Sequence, residues 1–178
     1  MSDAIRLRVN GASVSVEVDP LRPLQEIVHD ELDLSSVRAA CGVGTCGACT
    51  VLLDGEPARS CLVPVGLAVG RDIRTSEGLR DDDPVRVAFV SEHAYQCGYC
   101  IPGFVLATSS LLERTPAPEP VEIDAALVGN VCRCGSYAAI RRAVGLAARL
   151  RDERLEAGDA EPSARTRRPN PGDAGEPE

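Results

Sequence analysis

Eight cysteines, in two sets of four, carry the chemistry of this 178-residue chain. The first cysteine set is Cys41, Cys46, Cys49 and Cys61, and the second cysteine set is Cys97, Cys100, Cys132 and Cys134. In the first set, the spacing C-x4-C-x2-C with a fourth cysteine further on is typical of a [2Fe–2S] cluster. The second set has the same number of sulfurs in two short pairs. The sequence therefore predicts two metal centres with thiolate ligands.

Three glycines in the loop of the first set support a cluster there. Gly42, Gly44 and Gly47 lack a Cβ atom, so they can adopt positive φ and turn backbone N–H groups toward the sulfurs. Such N–H groups partly offset the negative charge of a bound cluster and raise its reduction potential. We expect this loop to fold around two irons.

Zinc and disulfides are the alternatives for the cysteines. Four thiolates in two short pairs could hold a structural zinc ion, a reading that applies mainly to the second set. Disulfides are disfavoured, because Cys132 and Cys134 and the closely spaced pairs suit a shared metal better than mutual bridging. Zinc without acid-labile sulfide in the purified protein would decide for a zinc module.

Composition limits the remaining functions. The net charge is −8, which argues against nucleic acid as a partner. No apolar run reaches the roughly 20 residues of a membrane span, and no secretory signal pattern precedes Ile5. We therefore expect a cytoplasmic protein without a membrane span, in a compartment where clustered cysteines more often hold metal than form disulfides.

The residues before the cysteine loop predict a hairpin and a helix. Residues 5–9 and 14–18 alternate apolar and polar side chains on either side of Asn10-Gly11, which is a strong hairpin signal. In residues 23–32 the apolar side chains recur at helical spacing, which predicts an amphipathic helix opened by a proline.

A second hairpin follows the loop. Residues 50–53 and 57–62 predict its two strands, with Cys61 on the returning strand. Strands with one helix packed across them predict an α+β fold for residues 1–79, in the arrangement called a β-grasp.

The patterns become helical after residue 80. Asp83 before Pro84 predicts a helix start, with a side-chain acceptor at the cap and a proline in the first helical position. Helices are predicted at 85–95, 103–114, 121–128 and 137–155. We thus expect an all-helical domain of four helices at residues 80–156, with its cysteines at helix ends and in turns. Residues 157–178 have almost no apolar side chain and predict a disordered tail.

Three blocks resemble a known family when taken in this order: C-G-V-G-T-C-G-A-C-T-V at 41–51, Q-C-G-Y-C-I-P-G at 96–103 and G-N-V-C-R-C at 129–134. Together with the change from strands to helices, they resemble the iron–sulfur subunit of the molybdenum hydroxylases, the xanthine dehydrogenase, aldehyde oxidoreductase and carbon monoxide dehydrogenase family. The resemblance covers residues 4–150. The family commonly continues C-R-C-T-G-Y, whereas this chain has Gly135-Ser136 in place of Thr-Gly.

The resemblance implies a plant-ferredoxin-like β-grasp domain followed by the helical [2Fe–2S] domain. The second set would hold the cluster nearer a molybdopterin in a partner subunit, and the first set would hold the outer cluster, which faces FAD. Gln96 and Cys134 match the family positions that lie against the pterin cofactor. No catalytic residue is expected in this chain.

The partners implied by the resemblance are a molybdopterin-binding large subunit and an FAD-binding medium subunit. They would form a hetero-oligomer, for which a dimer of heterotrimers is one arrangement. The chain would then be an electron-transfer subunit carrying two [2Fe–2S] clusters. A free-standing two-cluster ferredoxin, acting as a soluble electron shuttle, is the alternative.

Overall fold

A mixed β-sheet forms the N-terminal half of the computed structural model, which describes residues 3–158. Within that range five strands pair in the order β2-β1-β5-β3-β4. Their bounds are β1 Asp3–Val9, β2 Ala12–Val18, β3 Thr50–Leu53, β4 Glu56–Arg59 and β5 Asp72–Arg74. β1 and β5 are parallel, whereas the other neighbouring strands are antiparallel.

Both predicted hairpins are confirmed. β1 pairs with β2 across Asn10 and Gly11, whose φ angles are 51° and 80°. β3 pairs with β4 across Asp54 and Gly55, with φ angles of 53° and 85°. Two successive residues with positive φ give the turn twist that matches the twist of the flanking strands.

The strand β5 was missed in the sequence analysis. It has only three residues, too few for an alternating pattern to stand out. Its central residue, Ile73, is fully buried and aligns with Val9 on β1 and Leu53 on β3. This short strand therefore joins the two hairpins into one sheet.

The position of Cys61 corrects a prediction. β4 ends at Arg59, and Cys61 lies in a 3₁₀ turn formed by Ser60–Leu62, not on the returning strand. The reason is local hydrogen bonding. The hydroxyl of Ser60 donates to the carbonyl of Cys49 at 2.6 Å, and its backbone N–H donates to the same oxygen at 3.4 Å. The turn draws Cys61 back toward the cysteine loop.

The predicted amphipathic helix is present but changes type along its length. It begins as a short α-helix, α1 (Leu24–Glu26), and continues as a π-helix over Ile27–Glu31. The backbone N–H of Leu32 accordingly donates to the carbonyl of Ile27, five residues earlier, at 3.1 Å. Its apolar face is fully buried at Leu24, Ile27 and Val28 in one hydrophobic core with β1, β3 and β5.

Four helices form the C-terminal half, as predicted. They are α2 Pro84–Ser91, α3 Ile101–Arg114, α4 Pro120–Leu127 and α5 Tyr137–Glu156. α2 ends earlier than predicted, because His93 adopts a φ of 48° and the N–H of Ala94 folds back onto the carbonyl of Phe89. This left-handed turn stops the helix before the second cysteine set.

The two halves have separate hydrophobic cores with one shared strand. Leu52 on β3 belongs to the helical core, whereas its neighbours Val51 and Leu53 belong to the sheet core. The boundary near residue 80 stays a prediction, and the predicted tail lies outside the described residues from position 159 on. No helix within residues 3–158 combines the length and apolarity needed to cross a membrane.

Candidate functional site

The first cysteine set surrounds one cavity. All four of its sulfur-bearing residues line a space of about 190 Å³ between the loop after Val37 and helix α1. Three of them come from the glycine-rich loop, and Cys61 comes from the 3₁₀ turn after β4. The remaining lining residues are Gln25, Arg38, Ala39, Ala40 and Gly42. The fold thus brings together the four thiols that the sequence spacing assigns to one set.

The loop glycines have the predicted conformation. Gly42, Gly44 and Gly47 have φ angles of 65°, 76° and 72°. The pKa of Cys41 is lowered to about 5, because the hydroxyl of Thr45 and the backbone N–H groups of Val43 and Cys46 donate to its sulfur. The thiolate form that binds metal is therefore favoured at this position.

The thiols of the first set lie close enough to act on one another. Cys46 acts on the pKa of Cys41, and Cys49 and Cys41 act on the pKa of Cys61. Burial raises the pKa of Cys61 to about 11, and the neighbouring Cys49 thiol acts in the same direction. A cationic metal centre bound to these sulfurs would act in the opposite direction, because its positive charge favours the thiolate form.

The thiols of the second set also act on one another. Cys134 and Cys132 act on the pKa of Cys97, and Cys132 and Cys97 act on the pKa of Cys100. Cys100 caps the start of α3, whereas Cys132 and Cys134 lie in the turn between α4 and α5. Burial raises the pKa of Cys100 to about 12, and the backbone N–H of Tyr99 lowers the pKa of Cys97.

The donor chemistry fits a two-iron cluster at each set. Each iron of a [2Fe–2S] centre takes two thiolates, so the four thiols of one set supply one complete cluster. In the first set all four cysteines line one cavity.

The residues after Cys134 differ from the common family pattern, yet they still form hydrogen bonds to the second cysteine set. Gly135 adopts a φ of 78°, and the N–H of Ser136 then points to the sulfur of Cys132 at 3.4 Å. The hydroxyl of Tyr137 accepts from the backbone N–H of Cys132 at 2.9 Å. α5 begins at Tyr137 in this chain, with Gly-Ser in place of Thr-Gly.

Gln96 lies beside Cys134. Its side-chain amide donates to the Cys134 carbonyl at 3.2 Å, and the residue is exposed. The two positions implied to contact a pterin are therefore adjacent on the surface. Their contact with the pterin stays a prediction.

The two cysteine sets are joined directly. The backbone N–H of Val131 donates to the carbonyl of Cys46 at 2.9 Å, one residue before Cys132. Next to this bond the buried side-chain amide of Asn130 donates to the carbonyl of Gly47 at 3.2 Å. The segment that carries ligands of the second set is thus bonded to the loop of the first.

Arg59 strengthens this junction and was missed in the sequence analysis. Its guanidinium donates to the carbonyl of Gly129 at 2.6 Å and to the hydroxyl of Thr50 at 2.8 Å. An arginine two residues before Cys61 is a weak sequence signal, because most arginines are solvated. Only the contact with residue 129 reveals its role in linking the two halves.

A second junction involves Arg38 and Tyr99. Arg38 donates to the carbonyl of Gly98 at 2.8 Å, and its guanidinium carbon lies 5.1 Å from the centre of the Tyr99 ring. The Tyr99 hydroxyl donates in return to the carbonyl of Ala39. The segment before Cys41 is thereby fixed against the turn between Cys97 and Cys100.

Two family models match the chain in succession. The model described as 2Fe-2S iron-sulfur cluster binding domain matches residues 7–73, and the model described as [2Fe-2S] binding domain matches residues 75–145. The first match contains the first cysteine set, and the second contains the second set. The comparison therefore supports one cluster in each half.

Relatives match along nearly their whole length. One of the subunits of nicotinate dehydrogenase from Pseudomonas putida is 45% identical over 154 residues, covering 85% of this chain and 98% of that protein. The xanthine dehydrogenase iron-sulfur-binding subunit of Escherichia coli O157:H7 is 40% identical over 139 residues, covering 75% and 86%. A chain of quinoline 2-oxidoreductase from Pseudomonas putida 86 superposes with a TM-score of 0.81 at 32% identity, covering 89% of this chain and 99% of that one.

Proposed function

The chain belongs to the iron–sulfur subunits of the molybdenum hydroxylases, and we propose that it carries electrons between a molybdopterin-binding subunit and an FAD-binding subunit. Its relatives are subunits of multi-subunit oxidoreductases, so it is a non-catalytic electron-transfer subunit with two [2Fe–2S] clusters. The free-standing shuttle is not favoured by these relatives. The identity of the two partners and a dimer of heterotrimers remain part of the proposal.

The observation that carries the proposal is the bonded junction of two thiolate sets. We propose the first and second cysteine sets as the ligands of one cluster each. When bound, the clusters would supply one-electron transfer between the two ends of the chain. The hydrogen bond from Val131 to Cys46 supports a short and rigid separation between them.

The residues around each set have distinct tasks. Backbone N–H groups of Val43 and Cys46 donate to the Cys41 sulfur and offset negative charge there. Cys132 is buried and Cys100 half-buried, whereas Cys97 of the same set is exposed. Gln96 positions the carbonyl of Cys134 at the exposed edge where we propose that the pterin-binding subunit docks.

We propose the cytoplasm as the location, because all eight cysteines are free thiols in a fold that uses none for disulfides.

The function is tested by purifying the chain together with its native partners and assaying the complex for molybdenum, flavin, iron and acid-labile sulfide. We expect about four irons and four sulfides per chain, counting two of each per [2Fe–2S] cluster. Two distinct electron paramagnetic resonance (EPR) signals should appear on reduction. Purification of a monomer that lacks molybdenum and flavin would decide for the shuttle.

A further inference from the structure

Gln25 is a buried polar residue in an amphipathic helix. Its exposed fraction is 7%, and the nearby Leu24 and Ile27 are fully buried. Among residues 3–158 the Gln25 side chain makes no hydrogen bond, although side-chain amides inside folded proteins usually have partners. Its amide atoms are not fully buried, because the residue lines an open cavity.

The environment of Gln25 identifies what its amide can reach. It lines the same cavity as the first cysteine set, whereas Leu24 and Ile27 belong to the sheet core. Its neighbours in that lining are four cysteines, two alanines, one glycine and Arg38. Alanine and glycine have no side-chain donor. Among the described residues that line the cavity, the Arg38 guanidinium is therefore the only cationic or amide side-chain donor besides Gln25.

Arg38 is already committed to other partners. It donates to the carbonyl of Gly98 at 2.8 Å and to the carbonyl of Ser35 at 3.4 Å, and it lies over the Tyr99 ring. These contacts fix its guanidinium toward the second half of the chain. Arg38 thus directs its Nε and Nη1 donors to Ser35 and Gly98, whereas the Gln25 amide makes no side-chain hydrogen bond within residues 3–158.

We propose that the side-chain amide of Gln25 donates a hydrogen bond to the cluster at the first cysteine set, on a sulfide or thiolate sulfur, and raises its reduction potential. The proposal rests on the proposed function, since it requires a cluster there. Reduction adds negative charge to the cluster, so a donor at its sulfurs stabilises the reduced form more than the oxidised form. The same bond satisfies the Gln25 amide.

The test is a redox titration of the native complex, followed by EPR, with Gln25→Leu and Gln25→Met. Both variants remove the donors, and Met keeps the length of the side chain. At a fixed poise we expect the ratio of reduced to oxidised first cluster to fall several-fold, up to about tenfold for the loss of one hydrogen bond to a charged group. The second cluster of the same chain is the internal control and should titrate as in the wild type.

A second measurement does not depend on a variant folding. The chain contains only two glutamines, Gln25 and Gln96, so selective side-chain ¹⁵N labelling gives few amide signals. In the wild type we expect a hyperfine coupling between one ¹⁵N amide and the first reduced cluster, and Gln96→Leu should retain it.

Two results would overturn the proposal. One is an unchanged first-cluster potential in iron-loaded Gln25→Leu, or an equal shift of both clusters, which would indicate a global effect. The other is the absence of amide coupling in the wild type. Failure of the proposed function is distinguishable, because the wild-type complex would then lack two cluster signals before any variant is made.

Discussion

The backbone N–H of Val131 donates to the carbonyl of Cys46 at 2.9 Å, so one hydrogen bond joins the two cysteine sets. Cys46 is a member of the first set, and Val131 directly precedes Cys132 of the second. Cys46 and Val131 lie far apart in sequence. Because Val131 is bonded to Cys46 and precedes Cys132, it is the single residue between the two cysteine sets at this point. The spacing of two electron carriers is thereby fixed by the fold of one chain.

Cys134→Ser tests the ligand assignment. Serine replaces one of the four thiols of the second set, so the second cluster should be lost or strongly altered while the first is retained. EPR of the reduced complex should show one signal in place of two. Cys46→Ser is the reciprocal control and should remove the other signal. Retention of both signals in Cys134→Ser would contradict the assignment.

Arg59→Met tests the junction between the halves. The variant leaves the carbonyl of Gly129 and the hydroxyl of Thr50 without their charged donor, and we expect a loss of about 2 kcal/mol in the free energy of unfolding. Denaturant titration of the cluster-loaded chain measures it. Arg149→Met is the matched control, because Arg149 is exposed and, within residues 3–158, its side chain bonds to the Gly145 carbonyl of its own helix. Equal effects of the two variants would argue against the junction.

Gly103→Ala tests the close approach of α3 to the first cysteine loop. A Cβ at position 103 would lie 2.3 Å from the carbonyl oxygen of Gly47, a backbone atom that cannot move without displacing the loop. We expect a destabilisation of about 1–3 kcal/mol, the usual cost of overpacking. The loss should appear as a lower midpoint of thermal unfolding.

For Gly145→Ala in α5 we expect the opposite effect on stability. A Cβ there would meet only the end of the Arg149 side chain, at 3.9 Å. Because alanine favours helix more than glycine, the variant should be more stable by about 0.5–1 kcal/mol. Destabilisation by both alanines would indicate a general intolerance of substitution and would count against the steric argument.

Asp83 gives a pH-dependent prediction. Its carboxylate caps α2 by accepting from the N–H of Val85 at 2.9 Å. Burial raises its pKa, against the lowering effect of the N–H groups of Val85 and Arg86 and the charges of Arg151 and Arg154. The pKa of Asp83 is therefore higher in the folded protein than in the unfolded chain, and protonation of Asp83 favours the folded state. This contribution to the free energy of unfolding is complete below the unfolded pKa and is lost as pH rises through the folded pKa.

Two variants separate capping from charge at this position. Asp83→Ala removes the acceptor and should destabilise the chain by about 1 kcal/mol, with faster hydrogen exchange at the N–H of Val85. Asp83→Asn keeps an acceptor without titrating, so the acidic pH dependence of stability should flatten while the exchange protection is kept. An unchanged pH profile in Asp83→Asn would refute the role of this carboxyl group.

Much of the site could be predicted from local sequence. The cysteine spacing predicts both sets of ligands, an assignment that stays a prediction. The loop glycines have the predicted positive φ angles, because a loop with three cysteines in one short segment must turn tightly. The hairpins and the four C-terminal helices followed from apolar periodicity and turn residues. The sequence pattern of residues 57–62 predicts a strand that includes Cys61. The pattern does not indicate the hydrogen bond from Ser60 to Cys49, which forms a turn instead.

The sequence by itself indicated the two sets of cysteines, the two hairpins and the helices, since these depend on spacings of a few residues. Only the tertiary structure decided that Arg59 reaches Gly129, that Gly103 lies against Gly47 and that Gln25 faces the cysteines. The partners in the first two of these contacts are far apart in sequence, and no local period encodes which distant backbone a side chain will meet. Packing of the two cores brings them together.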